Sequence, residues 1–438
     1  MNARRVAEPE TVEIIDLSDD GRGVAHPPGK VLFVHGALPG ETVRVVRSRR
    51  RRGHDEARVD AVLEPAVERV SPGCVHFDQC GGCSLQHLAS ASQRDMKQRR
   101  LLRLFEEAGV APETVFAPIA AETWRYRRRA RLGVRFVAGK GRVLVGFREK
   151  FKPYIAVLDS CPVLAPPADT LLTPLGDLIG SLSIYNRLPQ VEVCVADERT
   201  ALVFRVLDPP TDEDLAALRA FGAERGVDVW LQPGGLETIQ PLGETPPELS
   251  YRLSDFDLEF RFGPTDFIQV NASVNERMVA RAIELIAPAA GTRVLDLFCG
   301  IGNFSLALAR SGASVTGVEV AAPMVERARD NARRNGIDSA EFEVADLFGD
   351  EGSWGWAGRP YDAVLLDPAR AGAGPALGAV AATGAGRVVY VSCNPETLAT
   401  DAAVLIKEHG YELAGAGVID MFPHTAHLES IALFERSV

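Results

Sequence analysis

The stretch VLDLFCGIGNF, residues 294–304, is an apolar run that stops at a glycine-containing turn and opens onto the helix-like SLALARSG. A short unbroken apolar run bounded by glycine reads as a strand buried on both faces, as in a parallel sheet. Gly300 and Gly302 let the backbone pass close to a ligand where side chains would block it. The turn is GIGN and not G-x-G-x-x-G, so a dinucleotide fingerprint fits poorly. Downstream the rhythm repeats. SVTGVEV ends in Glu319, about twenty residues on, where an acid can hydrogen-bond a ribose diol. AEFEVAD ends in Asp346, placed to hold an adenine amino group, and YDAVLLDPAR ends in Asp367. RVVYVSCNP carries Cys393 at its tip, and helix-like segments such as PMVERARDNARRNG lie between these strands. Strands alternating with helices from about Asn275 onward predict an α/β, doubly wound parallel sheet over residues 275–438, with its active site at the carboxyl ends of the strands.

A glycine turn followed by acids at two successive strand ends looks like the S-adenosylmethionine site of doubly wound methyltransferases. A cysteine in mid-strand is usually a small buried hydrophobe. Cys393 instead precedes Asn-Pro on the cofactor side, which favours a catalytic role. The chemistry supplies a reason for a thiol there: C5 of uracil is too poor a nucleophile to take a methyl group directly, whereas thiolate addition at C6 makes C5 an enolate carbon. The C5 proton must then leave, which needs a general base. DMFPHTAHLESIALFER offers Glu429 at the start of an apolar strand, with His424 and His427 close by.

The 438 residues exceed what one core organises and suggest two or three domains, and a hydrophobic fraction of 46% with 24% charged is ordinary for a globular protein. Residues 1–65 carry short β-branched runs separated by DDG, PPG and LPG turns and predict a small β-barrel, with SRRRRGH as a basic hairpin tip. Residues 66–274 predict a mixed α+β middle domain. The net charge of -11 argues against a uniformly basic coat, yet residues 94–152 hold 16 Lys+Arg against 6 Asp+Glu. In WRYRRRARLGVRF, Trp124, Tyr126 and Phe136 lie among arginines, a mix suited to stacking bases and neutralising phosphates, unless the aromatics are core. No apolar leader opens the chain and no stretch is long and apolar enough to span a bilayer, so the chain reads as cytoplasmic, without a membrane partner. In that compartment clustered cysteines bind metal or do chemistry more often than they form disulfides. CVHFDQCGGC puts Cys74, Cys80 and Cys83 beside a double glycine, and such a spacing leaves iron-sulfur and zinc both open.

Taken in order, CVHFDQCGGCSLQH, FIQVN, DLFCGIGNF, DPAR, SCNP and DMFPHTAHLE resemble the bacterial RNA 5-methyluridine methyltransferases over nearly the whole chain. The resemblance implies a class I methyltransferase domain, a central RNA-binding domain with a [4Fe-4S] cluster, and an N-terminal TRAM domain, an OB-like barrel. It implies Cys393 as the nucleophile and Glu429 as the base. It further implies S-adenosylmethionine contacts from Gln269, Phe298, Asn303, Glu319, Asp346 and Asp367, and cluster ligation by Cys74, Cys80, Cys83 and Cys161. The implied substrate is structured RNA, 23S rRNA ahead of tRNA, because the enteric tRNA branch lacks barrel and cluster while archaeal tRNA relatives have similar parts. No protein partner is implied. Two positions depart from the family pattern: DPAR stands where DPPR is common, and His424 where glutamine is frequent. The rival readings are a cytosine-C5 methyltransferase, whose nucleophile usually follows proline or threonine, and a non-catalytic RNA-binding assembly factor.

Overall fold

Each apolar run of the last third becomes a strand of one sheet. In the computed structural model, which describes residues 8–243 and 247–436, these strands are β1 (Arg293–Leu297), β2 (Ser314–Glu319), β3 (Ala340–Val344), β4 (Ala363–Leu366), β5 (Arg387–Ser392), β6 (Tyr411–Ile419) and β7 (Glu429–Arg436). Their order is β3-β2-β1-β4-β5-β7-β6, with a short strand, Thr114–Val115, beyond β6. β1 to β5 run parallel, and β7 is antiparallel to both β5 and β6. The chain winds one way from β1 to β3 and the other way from β4 to β5. The reversal opens a crevice at the carboxyl ends of β1 and β4, where this architecture binds ligands. Five helices accompany the sheet: α1 (Ala272–Ile286), α2 (Ser305–Arg310), α3 (Ala322–Arg334), α4 (Leu377–Ala382) and α5 (Pro395–His409). The core packs Leu295, Leu297, Val318 and Leu366 with Leu398, Ala402 and Leu405 of α5.

SCNP shows how sequence dictates this local structure. Ser392 ends β5, and Asn394 caps α5, its side-chain oxygen accepting the Glu396 N–H at 3.2 Å. Pro395 fills the first helical position, where a missing N–H costs nothing, and Gly410 ends the helix at φ 71°. Cys393 is thereby pinned between a strand end and a helix start.

The chain divides into two compact units. Residues 1–100, 149–152 and 422–427 form one, and 101–148, 153–421 and 428–438 the other. The middle segment is therefore shared. The larger unit also contains a six-stranded sheet running in space Gln240–Pro241, Asp228–Gln232, Thr200–Arg205, Gln190–Val195, Arg129–Val137 and Arg142–Gly146. The basic strand lies in it, but its arginines are largely engaged: Arg128 with Asp197 at 2.6 Å, Arg131 with Glu192 at 2.8 Å and Arg125 with Asp169 at 3.3 Å. Tyr126 is buried and Phe136 packs edge-on against Tyr185 at 4.9 Å. Tyr126 is thus core, and the strand is less free to meet a polyanion than its composition suggests.

In the smaller unit a six-stranded sheet orders Glu10–Glu13, Thr42–Arg50, His54–Glu64, Val31–His35, Gly23–Ala25 and Asp16–Leu17. Alternation puts Val43, Val45, Leu32 and Val34 inside. Arg49 to Arg52 stand exposed around the hairpin between Thr42–Arg50 and His54–Glu64, as the sequence predicts. Residues 422–427 are clasped within this unit. The N–H groups of Ser84 and Leu85 donate to the His424 carbonyl at 3.0 and 2.9 Å, Gln93 accepts the His424 N–H at 2.8 Å, and Lys97 donates to the Phe422 carbonyl at 3.1 Å.

Candidate active site

β1 delivers the glycine turn. Phe298 adopts φ 67°, rare for a residue with a side chain, and Gly300 and Gly302 follow at φ 55° and 89°. A side-chain carbon built on Gly300 would meet nothing within 4 Å, so the backbone there faces open space fit for a ligand. Cys299 packs inward: its sulfur lies 3.1 Å from where a side-chain carbon on Gly317 would sit. Burial pushes its thiol well above the ordinary range, and that of Cys194 to about 11, so both are inert packing residues.

Glu319 braces the turn. Its carboxylate accepts N–H groups from Gly300 at 3.3 Å and Ala321 at 3.0 Å, leaving further lone pairs for a diol. Asp346 is exposed after β3, where it accepts the Phe348 N–H at 2.9 Å, and the Phe348 ring lies 6.3 Å from that of Phe298. Asn303 does something the sequence did not suggest. Its amide exchanges hydrogen bonds with Asn275 of α1 at 2.9 and 3.1 Å and accepts the Tyr251 hydroxyl at 2.8 Å, so it clamps the turn to its surroundings. Gln269 is half-buried just ahead of α1, where the neighbouring Val270 carbonyl accepts the Arg128 N–H at 2.8 Å. The glycine cradle, with an acid at its rim and open space before it, fits a nucleoside-bearing methyl donor.

Two carboxyls lie beneath. Burial pushes Asp296 to about 7, with the charges of Asp367 and Glu319 adding to it and the Ser305 hydroxyl opposing it. Burial likewise pushes Asp367 to about 7. Sequence reasoning passed over Asp296, although an acid inside an apolar strand is itself a signal, since burial of a carboxyl has to be compensated.

Cys393 is half-buried after β5. Burial raises its thiol above the ordinary value, the carboxylates of Glu429 and Asp367 raise it further, and the Arg370 guanidinium works against them. The structure thus brings Cys393, Asp367 and Glu429 into one electrostatic neighbourhood. Glu429 opens β7 opposite Ile419 and is 8% exposed, not the solvated strand-end acid its position suggests. Arg370 was also missed by sequence reasoning. Its place in DPAR, three residues after Asp367, is the available signal.

Of the four cysteines tied to metal binding, three share one loop. Cys74 donates its N–H to Gln86 at 3.0 Å, the Cys80 sulfur accepts the Gly82 N–H at 3.4 Å, and the Lys150 ammonium feels both Cys80 and Cys83. Cys161 lies in the larger unit, its N–H donating to the Asp169 carbonyl at 2.8 Å. Among the described residues, no three Cys, His, Asp or Glu side chains converge closely enough to hold a metal ion. The thiolate donor chemistry suits an iron-sulfur cluster, but the arrangement of the side chains does not itself form one.

A family described as tRNA (Uracil-5-)-methyltransferase matches residues 245–351 and 359–437, and the TRAM domain matches residues 4–46. The 23S rRNA (uracil(1939)-C(5))-methyltransferase RlmD of Alkalilimnicola ehrlichii is 52% identical over 434 residues, 98% of this chain and 97% of that protein. Its counterpart in Methylococcus capsulatus is 50% identical over 432 residues, 98% of each. Among solved structures, the Pyrococcus abyssi tRNA (uracil-54, C5)-methyltransferase in complex with S-adenosyl-L-homocysteine matches with a TM-score of 0.75 at 26% identity, covering 97% of this chain and 100% of that one. With an open glycine turn, a thiol and a carboxylate gathered at the ends of its parallel strands, and relatives alike over almost its full length, the chain belongs to the RNA uracil-C5 methyltransferase family.

Proposed function

We propose that this protein methylates C5 of a uridine in 23S rRNA, the position corresponding to uracil 1939 in its relatives' names, using S-adenosylmethionine. The observation that carries the reading is the strand register, Ser392 beside Ser430 and Leu366 beside Tyr390, which sets Cys393, Glu429 and Asp367 at adjacent strand ends near a glycine turn open to a ligand.

S-adenosylmethionine, when bound, supplies an electrophilic methyl group. Gly300 and Gly302 would give it backbone room, Glu319 would take the ribose and Asp346 the adenine, and Gln269, Phe298 and Asp367 would line the remainder. Asn303 acts on the cofactor through the turn it clamps. The target uridine leaves its stack to reach the strand ends. The Cys393 thiolate forms a bond to C6, the ring electrons move to C5, and C5 takes the methyl group as the methyl–sulfur bond breaks and S-adenosylhomocysteine leaves. Glu429 then removes the C5 proton, the C5–C6 double bond re-forms, and the Cys393–C6 bond breaks to return the thiolate. Burial holds the Asp367 carboxyl near 7, so its protonated share can donate a hydrogen bond to the uracil edge.

Arg49 to Arg52, on the six-stranded sheet of the smaller unit, and the remaining exposed arginines of the central sheet grip RNA by its backbone. On the resemblance alone, Cys74, Cys80, Cys83 and Cys161 would hold a [4Fe-4S] cluster of structural role, for which the four thiols have the right chemistry, three of them on one loop. Iron and sulfide analysis of anaerobically purified protein checks it, and their absence removes it.

The function is tested by incubating the protein with labelled S-adenosylmethionine and separate unmodified 23S rRNA and tRNA transcripts. Label as 5-methyluridine in rRNA alone is expected. Label in tRNA alone would keep the chemistry and overturn the substrate, and label in neither would favour the assembly-factor reading. The Cys393→Ala variant should lose all methylation while binding rRNA with unchanged affinity by filter binding.

A further inference from the structure

The loop after Asp367 and the helix after Cys393 are stitched together by one ridge of side chains. Asn394, Thr397 and Asp401 stand at the cap of α5 and three and seven residues along, a spacing that lines a single helix face. Asn394 Nδ2 donates to the Arg370 carbonyl at 2.9 Å, and Thr397 Oγ1 reaches the same oxygen at 3.4 Å. Asp401 is 5% exposed, and its Oδ2 accepts two hydrogen bonds, from the Ala373 N–H and the Tyr390 hydroxyl, each at 2.7 Å.

Tyr390 belongs to β5, three residues before Cys393, and is fully buried. One carboxylate oxygen therefore joins the strand that carries the thiol to the loop that carries Arg370. Gly372, at φ 82°, completes the fit: a side-chain carbon there would lie 2.8 Å from Asp401 Oδ2 and 3.1 Å from Thr397 Cβ. The loop is pressed flat on the ridge. The charges acting on Cys393 are those of Glu429, Asp367 and Arg370, and of these the guanidinium favours a thiolate. A buried carboxyl is costly unless it is used, and both groups that Asp401 engages lead to the catalytic thiol.

We propose that Asp401 is a positioning residue, which ties the Arg370 loop, through Ala373, to the Tyr390 strand so that the guanidinium stays within electrostatic reach of Cys393. This rests on Cys393 being the nucleophile, but it predicts a property of the thiol itself, which is measurable without RNA or methyl donor. The experiment is the pH dependence of Cys393 alkylation by iodoacetamide in the full-length protein, resolved by peptide mass spectrometry from neutral to alkaline pH. Asp401→Ala should displace the profile upward by about half a unit, so that alkylation below the midpoint slows about threefold. Asp401→Asn keeps an acceptor oxygen in the same place and should restore the wild-type profile. Tyr390→Phe loses one of the two bonds and should shift the profile less, in the same direction. In turnover, kcat should fall in Asp401→Ala with KM for S-adenosylmethionine unchanged.

An unchanged alkylation profile in folded Asp401→Ala overturns the proposal. So does an Asp401→Asn profile displaced as far as that of the alanine variant. Should the alanine variant not fold, an unchanged profile in Tyr390→Phe overturns it equally. A shifted profile in a protein that methylates no RNA would uphold the positioning role and sink the function, so the two failures are distinguishable.

Discussion

A thiol that attacks C6 of a pyrimidine must first lose its proton, and Cys393 sits where burial and then the Glu429 and Asp367 carboxylates oppose that loss. The methylation rate should therefore climb with pH through the alkaline range until the thiolate is fully formed. Arg370→Ala removes the opposing cation, so at neutral pH the rate should fall about tenfold while the pH profile moves upward, which a pH series of single-turnover rates would show. A wild-type profile in that variant would deny Arg370 its role. In the proposed mechanism Glu429 acts after methyl transfer, so Glu429→Gln should stall the reaction with protein and RNA covalently joined. A gel-shifted, denaturant-resistant adduct is the expected readout, and its absence would assign the base elsewhere. The strand ends that carry Cys393 and Glu429 were legible in the sequence, because each adjoins an apolar run, whereas Arg370 was not.

At the scale of elements, the turn after β1 is held in a left-handed path at Phe298, Gly300 and Gly302, and its far end depends on the amide of Asn303. Tyr251 and Asn275, both buried, have their polar groups satisfied there. Asn303→Ala leaves these partners without a bond and should cost about 1–3 kcal/mol in urea unfolding. It should also weaken S-adenosylmethionine binding by calorimetry, because a loosened turn opens the cradle. Stability equal to wild type would contradict the clamp. The sequence marked Asn303 as part of the turn but could not reveal this use, since Tyr251 lies on a hairpin 52 residues away.

For the whole molecule, the smaller unit carries an acid-sensitive residue. His87 is 2% exposed, its ring 5.5 Å from that of Phe77, and burial, then the charges of Arg69 and Lys150, lower it from 6.5 to about 4. The folded form keeps the ring neutral, so below 6.5 the unfolded chain takes up the proton first. The stability tied to a neutral His87 is complete above pH 6.5 and is lost as pH falls from there through about 4. The loss should reach about 3 kcal/mol at its acid limit. Urea melts at pH 7.5 and pH 5 check this, with His87→Phe expected to flatten the pH dependence; equal slopes in the two proteins would refute it. Assignment of residues 422–427 to this unit was not legible, because FPHTAH sits in sequence between two strands of the larger one.

What the sequence by itself determined was the parallel sheet and which residues stand at its strand ends. Unbroken apolar runs leave a strand no arrangement except burial on both faces, and the caps in SCNP and the turn in GIGN fix how each strand hands over to its helix. What only the tertiary structure decided was which polar groups meet. The pairing of Arg128 with Asp197, the clamp on Asn303, the two bonds to Asp401 and the burial of Glu429 join residues far apart along the chain. Hydrogen bonds and ion pairs leave no periodic trace in a sequence, whereas apolar surface must repeat with the geometry of the element that buries it.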